Sequence, residues 1–198
     1  MATEGPNSPG TVVSDNSYGN NTWSNPGNAA ASDDTRADAA TFMDSTEYLK
    51  ATNFGFSIPS GATVDGIEVF IERRDINNPG GSMDDRVRIV KGGTVGSTDK
   101  ADGATEWPTT DGTATYGSSS DKWGETWTRT DINATDFGMV LASTDGGGSG
   151  APEVDHISIT VHYTLPPRVA VTGARTVVSS RTVVSGARTA VSSRTAVS

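Results

Sequence analysis

The chain of 198 residues contains no cysteine. No disulfide can staple it, and no thiolate can bind a metal or act as a nucleophile. Large apolar side chains are scarce: 33% of residues are hydrophobic, while glycine alone occurs 23 times. No run of 18 apolar residues is present, so there is no candidate membrane-spanning helix, and the polar start MATEGPNSPG has no signal-peptide pattern. Positive charge is also short. The net charge of −9 argues against general binding of nucleic acid or membrane by the body of the chain. Helical periodicity is nearly absent, and there is no Gly-x-Ser-x-Gly elbow, phosphate loop or His-Glu-x-x-His motif. These absences point to a non-enzymatic protein and imply no cofactor.

What is present is a repeat. Residues 173–185 and 186–198 match at 11 of 13 positions, differing only at Val177/Ala190 and Val183/Ala196. Within them an Arg-Thr-Val/Ala-Val-Ser unit begins at Arg175, Arg181, Arg188 and Arg194, and Arg168-Val-Ala-Val-Thr reads as a degenerate first copy. Regular arrays make stacked or intertwined surfaces. Valine and threonine favour extended backbone, because branching at Cβ suits a pleated surface. With no aromatic, Leu, Ile or Met, such a ribbon buries too little to offset an ordering cost of roughly 1–2 kcal/mol per residue. It becomes rigid only against identical chains, another protein or its own body; a disordered low-complexity tail is the alternative.

Charge divides the chain in the same place. The whole sequence has 15 Lys+Arg and 24 Asp+Glu; the last 31 residues hold five of the arginines and no acid, which leaves the first 167 residues at −14. A basic arm on an acidic body marks an interaction segment, with an acidic surface as its simplest partner. The attachment or oligomerisation residues are Arg168, Arg175, Val178, Arg181, Val184, Arg188, Val191, Arg194 and Val197. Self-association is expected, with a trimer favoured, because Val-rich strands from three chains can enclose a narrow apolar axis. No nucleic-acid or membrane partner is expected.

The body reads as short strands broken by Gly, Asn, Asp and Pro. Residues 1–21 are polar and read as a loose segment; 22–165 hold the domain and 166–198 the arm, which Pro166-Pro167 starts stiffly. Strands are expected over 47–56, 64–73, 86–90 and 154–164, a fully apolar one over 137–142, and weaker ones over 113–116 and 126–128. Ile67, Val69 and Ile71 fall on one face, opposite Glu68, Phe70 and Glu72; Ile157, Ile159, Val161 and Tyr163 face inward. Residues 29–40 could form a short helix capped by Ser32, and 145–150 a turn. About eight strands with no intervening helices favour an all-β fold: an antiparallel jelly-roll-type sandwich followed by an extended, repetitive, β-rich C-terminal arm.

Candidate chemistry is sparse. His156 and His162 lie six residues apart, roughly 20 Å along a straight strand, so they cannot share one metal; they read as exposed strand residues. Asp33, Asp34 and Asp38, and Asp84 with Asp85, could offer oxygens to Ca²⁺ but lack the spacing of a known loop, and a solvated loop is the simpler reading. No metal site is assigned. Trp107, Trp123 and Trp127 are candidate glycan contacts if exposed and core or loop anchors if not.

Several phrases occur together: Tyr48-Leu49-Lys50-Ala51-Thr52-Asn53-Phe54-Gly55-Phe56, Ile58-Pro59-Ser60-Gly61-Ala62, Val64-Asp65-Gly66-Ile67-Glu68-Val69, Trp123-Gly124, Phe137-Gly138 and Val154-Asp155-His156-Ile157. Over about residues 22–164 they resemble a jelly-roll-like domain that recurs in structural proteins of tailed bacteriophages and in some bacterial surface proteins. The resemblance implies a capsid-decorating, head-fibre or tail-associated protein at the virion surface, contacting another virion or surface protein. A virion protein assembled in the cytosol has no use for disulfides. The alternatives are a carbohydrate-binding module of a surface adhesin and a subunit of an extracellular filament. No active-site residues are implied.

Overall fold

A computed structural model describes residues 1–40, 44–77, 81–147 and 150–167. The arm residues Arg168, Arg175, Val178, Arg181, Val184, Arg188, Val191, Arg194 and Val197, and Gly148 and Ser149 of the expected 145–150 turn, lie outside them.

The described chain is nearly all β. Ten strands run in order: β1 (Ala2–Asn7), β2 (Thr11–Asp15), β3 (Ala37–Asp38), β4 (Tyr48–Thr52), β5 (Thr63–Asp75), β6 (Ser82–Lys91), β7 (Thr94–Val95), β8 (Gly112–Ser118), β9 (Gly138–Asp145) and β10 (Pro152–Thr164). They form two five-stranded sheets. The first has the order β1-β10-β5-β8, with β3 also on β10; the second has the order β2-β4-β9-β6-β7. All the strand pairs in these ladders are antiparallel. Two sheets with one apolar face each satisfy both by packing face to face.

The alternation of β5 and β10 builds half of that core. Ile67, Val69 and Ile71 are fully buried beside Ile157, Ile159 and Val161. Val87 and Ile89 of β6, Met139 and Leu141 of β9, and Leu49 and Ala51 of β4 close on them from the other sheet. Phe54, Phe56 and Phe137 cluster with ring centroids 5.8–6.4 Å apart. β9 is apolar on both faces because its outer face is covered too. Val140 and Ala142 lie with Tyr48 and Val90 in a second buried cluster, against which Tyr18 packs, stacked on Tyr48 at 4.9 Å.

Three expectations need correction. Residues 1–21 are not a loose segment: β1 pairs with β10 and β2 with β4, and Val12 enters the core. Edge strands use one side of their hydrogen-bonding groups and one face, so polar residues suffice. Residues 29–40 are not a helix. They follow a short 3₁₀ turn (Pro26–Ala29) and lead into β3. Asp33 instead accepts the Thr35 N–H at 3.0 Å, and Asp34 is left-handed at φ 66°; short polar side chains that bond their own backbone compete with helix. Residues 126–128 are not a strand, since Thr128 caps the four-residue helix α1 (Arg129–Ile132) through a reciprocal capping box with Asp131.

β9 can run between β4 and β6 only because it begins with glycine. A Cβ at Gly138 would sit 1.9 Å from the Ala51 carbonyl oxygen. Gly138→Ala is therefore expected to push β4 and β9 apart and lower stability by about 1–3 kcal/mol, read as a lower urea midpoint.

Candidate functional site

The inward row of β5 continues past Ile71 to Arg73, 8% exposed, and Asp75, fully buried. A charge in that row requires a partner from the opposite sheet. It is Asp84 of β6, 1% exposed, which forms a buried ion pair with Arg73. Asp84 Oδ1 also accepts from Trp107 Nε1 at 2.9 Å; Oδ2 accepts from the Tyr116 hydroxyl at 2.7 Å and the Asp102 N–H at 3.1 Å. The Arg73 guanidinium lies over the Trp107 ring at 4.7 Å and the Tyr116 ring at 5.7 Å. Burial pushes the Tyr116 hydroxyl pKa well up, so it stays a donor to Asp84. Asp84 is thus a buried strand residue, not part of a solvated loop. Asp85 points outward to Tyr18 and Arg86.

The tryptophans follow from this. Trp107 and Trp123 are each 1% exposed, which corrects their assignment as glycan contacts: neither offers a ring face to solvent. The Trp123 indole N–H bonds the Ile67 carbonyl at 3.0 Å, beneath Gly117, where a Cβ would meet the indole at 2.8 Å. Trp127 is half-buried, edge-on to Phe137 at 5.4 Å and beneath Lys91 at 5.3 Å. A fourth tryptophan, Trp23, is 2% exposed and bonds the Glu47 carbonyl. All four serve the core or anchor loops.

Of Asp33, Asp34 and Asp38, Asp34 already has a cation. Arg36 bonds Asp34 at 2.7 Å and Asp111 at 2.9 Å, and Arg74 joins Asp111 to Glu153. Among the described residues, no group of three or more His, Cys, Asp or Glu is placed to hold a metal ion.

The histidines lie on the outer face of the first sheet. His162 Nε2 is 3.0 Å from Glu68 Oε2, and His156 Nε2 is 2.8 Å from Ser8 Oγ. Both are half-buried rather than fully exposed, and His156 lines a shallow groove of about 360 Å³ together with Pro6, Glu68, Phe70, Thr115, Ser158 and Thr160. Strand register arranges it as a grid. Thr115, Phe70 and Ser158 form the central rung across β8, β5 and β10. Glu68 with Thr160 forms the rung on one side, and Glu72 with His156 the rung on the other. Phe70 is half-buried in the middle. The alternation of 64–73 already placed Phe70 outward, and an aromatic on the polar side of a strand was the available signal for this face.

Comparison with protein-family models, with curated proteins and with solved structures returns no significant match.

Two outcomes follow from the interior charges. Asp84→Leu leaves the Arg73 guanidinium buried without its counter-ion and should cost about 3–5 kcal/mol in urea denaturation. Arg73→Met combined with Asp84→Leu should cost clearly less than the two single changes added together. Asp75 gives a pH signature. Burial alone would raise its pKa, but N–H groups of Asn77, Ser82 and Ala151 donate to it and hold the carboxyl below its ordinary value of 3.8. A depressed folded pKa contributes stability that is complete above the unfolded value and is lost as pH falls through the folded one. The melting temperature of Asp75→Asn should lie below that of the parent at neutral pH, and the gap should close as the pH falls below about 4.

Proposed function

We propose that this chain is a non-enzymatic virion structural protein: a β-sandwich head, carried by a repetitive basic arm that attaches or oligomerises it as a capsid decoration, head fibre or tail-associated component. The observation that supports this most is where the head's chain ends lie. Ala2 pairs with Tyr163, so the chain enters and leaves the sandwich at one pole, and the +5 repeat of 31 residues follows directly in sequence. The resemblance of the phrases over residues 22–164 to tailed-phage structural domains is in keeping with the same reading.

We also place the sandwich among jelly-roll-type folds. In favour, the first and last strands are neighbours, and the chain passes repeatedly between sheets: β5 to β6, β8 to β9, and β9 to β10. Against a strict jelly roll, β4 sits between β2 and β9 in one sheet.

The arm works through other polypeptide surfaces, because its valines and alanines bury too little within one chain. Its arginines suit an acidic partner, and three-fold self-association remains the favoured arrangement. Deleting 168–198 should yield a folded monomeric head by circular dichroism and light scattering, while the full chain forms an oligomer or binds its particle. An unchanged oligomeric state together with unchanged particle occupancy would refute this role for the arm.

A further inference from the structure

We propose that the groove centred on Phe70, on the outer face of the β1-β10-β5-β8 sheet, binds a neutral glycan. Phe70 contributes nothing to the inter-sheet core, since its β5 neighbours Val69 and Ile71 point there and it points away. It is a half-buried ring beside the exposed Thr115 and the half-buried Thr160, His156 and Glu68, with the buried Ser158 beneath. Pro6, at the irregularity in β1, adds a second apolar wall. One ring surrounded by convergent polar groups is the composition of a site that takes a ligand with one apolar face and many hydroxyls. The rungs recur at about 7 Å along a strand and about 4.8 Å between strands, a grid on the scale of one or two sugar rings.

The chemistry excludes the competing ligands. A phosphate, nucleic acid or sialylated sugar would meet Glu68 and Glu72 on a head carrying −14. A wholly apolar ligand would strip water from the hydroxyls of Thr115 and Thr160 and return no hydrogen bond. An added peptide strand would pair along the edge of β8 and not over Phe70, since β5 and β10 are paired on both sides. The inference rests on the geometry of the sandwich and stands or falls independently of the arm.

The test is a titration of the full chain, followed by backbone amide NMR, with methyl glycosides of glucose, galactose and N-acetylglucosamine. Sialyllactose and inorganic phosphate serve as charged probes. At least one neutral glycoside should bind with a Kd near 1 mM, with shifts concentrated at residues 68, 70, 115, 158 and 160. Phe70→Ala should weaken binding at least about tenfold while Phe70→Trp retains it. Thr115→Arg, an exposed position that leaves the ring in place, should block the groove to a similar degree. If Phe70→Ala fails to fold by circular dichroism, Thr115→Arg decides. The proposal is overturned if no neutral glycoside binds below about 50 mM, if the charged probes bind equally well, if the shifts fall elsewhere, or if the folded variants bind as the parent does.

Discussion

The ion pair between Arg73 and Asp84 is the constraint on which the rest of the sandwich depends. It joins the two sheets by charge rather than by apolar contact, and neither partner is tolerable without the other. Asp84 also receives hydrogen bonds from Trp107, Tyr116 and the backbone of Asp102. One carboxylate therefore sets the distance between β5 and β6, the position of β8 and the course of the loop through Trp107. Apolar contacts would permit small slides between sheets, whereas a fully bonded carboxylate admits one arrangement.

The outer faces divide their work differently. On the second sheet, Tyr18 stacks on Tyr48 over a strip of Val90, Val140 and Ala142, Arg86 lies over Tyr18, and Lys50 of β4 pairs with Asp15 of β2. That face is closed by the chain's own side chains. On the first sheet polar residues surround a single ring, and a shallow groove is left open. The glycan proposal concerns the face that carries this groove.

Much of the body was legible because strand periodicity is a local signal. β5, β6, β8 and β10 were read close to their observed positions, and the inward sets of β5 and β10 were identified residue by residue. β9 was legible as a continuous apolar run, although the reason, burial on both faces, lay in Tyr48 and Val90 elsewhere in the chain. β1 and β2 were not legible, since an edge strand of Thr, Glu, Pro, Ser and Asp has the composition of a loop until its partner is known. The bulge between Asp84 and Arg86 hid the inward side of β6: parity counted back from Val87 and Ile89 turns Asp84 outward. The tryptophans were ambiguous for a related reason, because burial of an indole is settled by what closes over it.

The amino-acid order alone determined the β class, the division into an acidic body and a basic repetitive arm, and the inward rows of the long strands. These follow from side-chain period, branching at Cβ and charge count, all of which act between near neighbours. Tertiary structure alone decided that Arg73 meets Asp84, that Arg36 meets Asp111, that Trp107 and Trp123 are interior, and that Phe70, Thr115 and Ser158 share one rung. Each of those pairings spans a separation at which the chain carries no local preference, so only the register of the assembled sheets could select it.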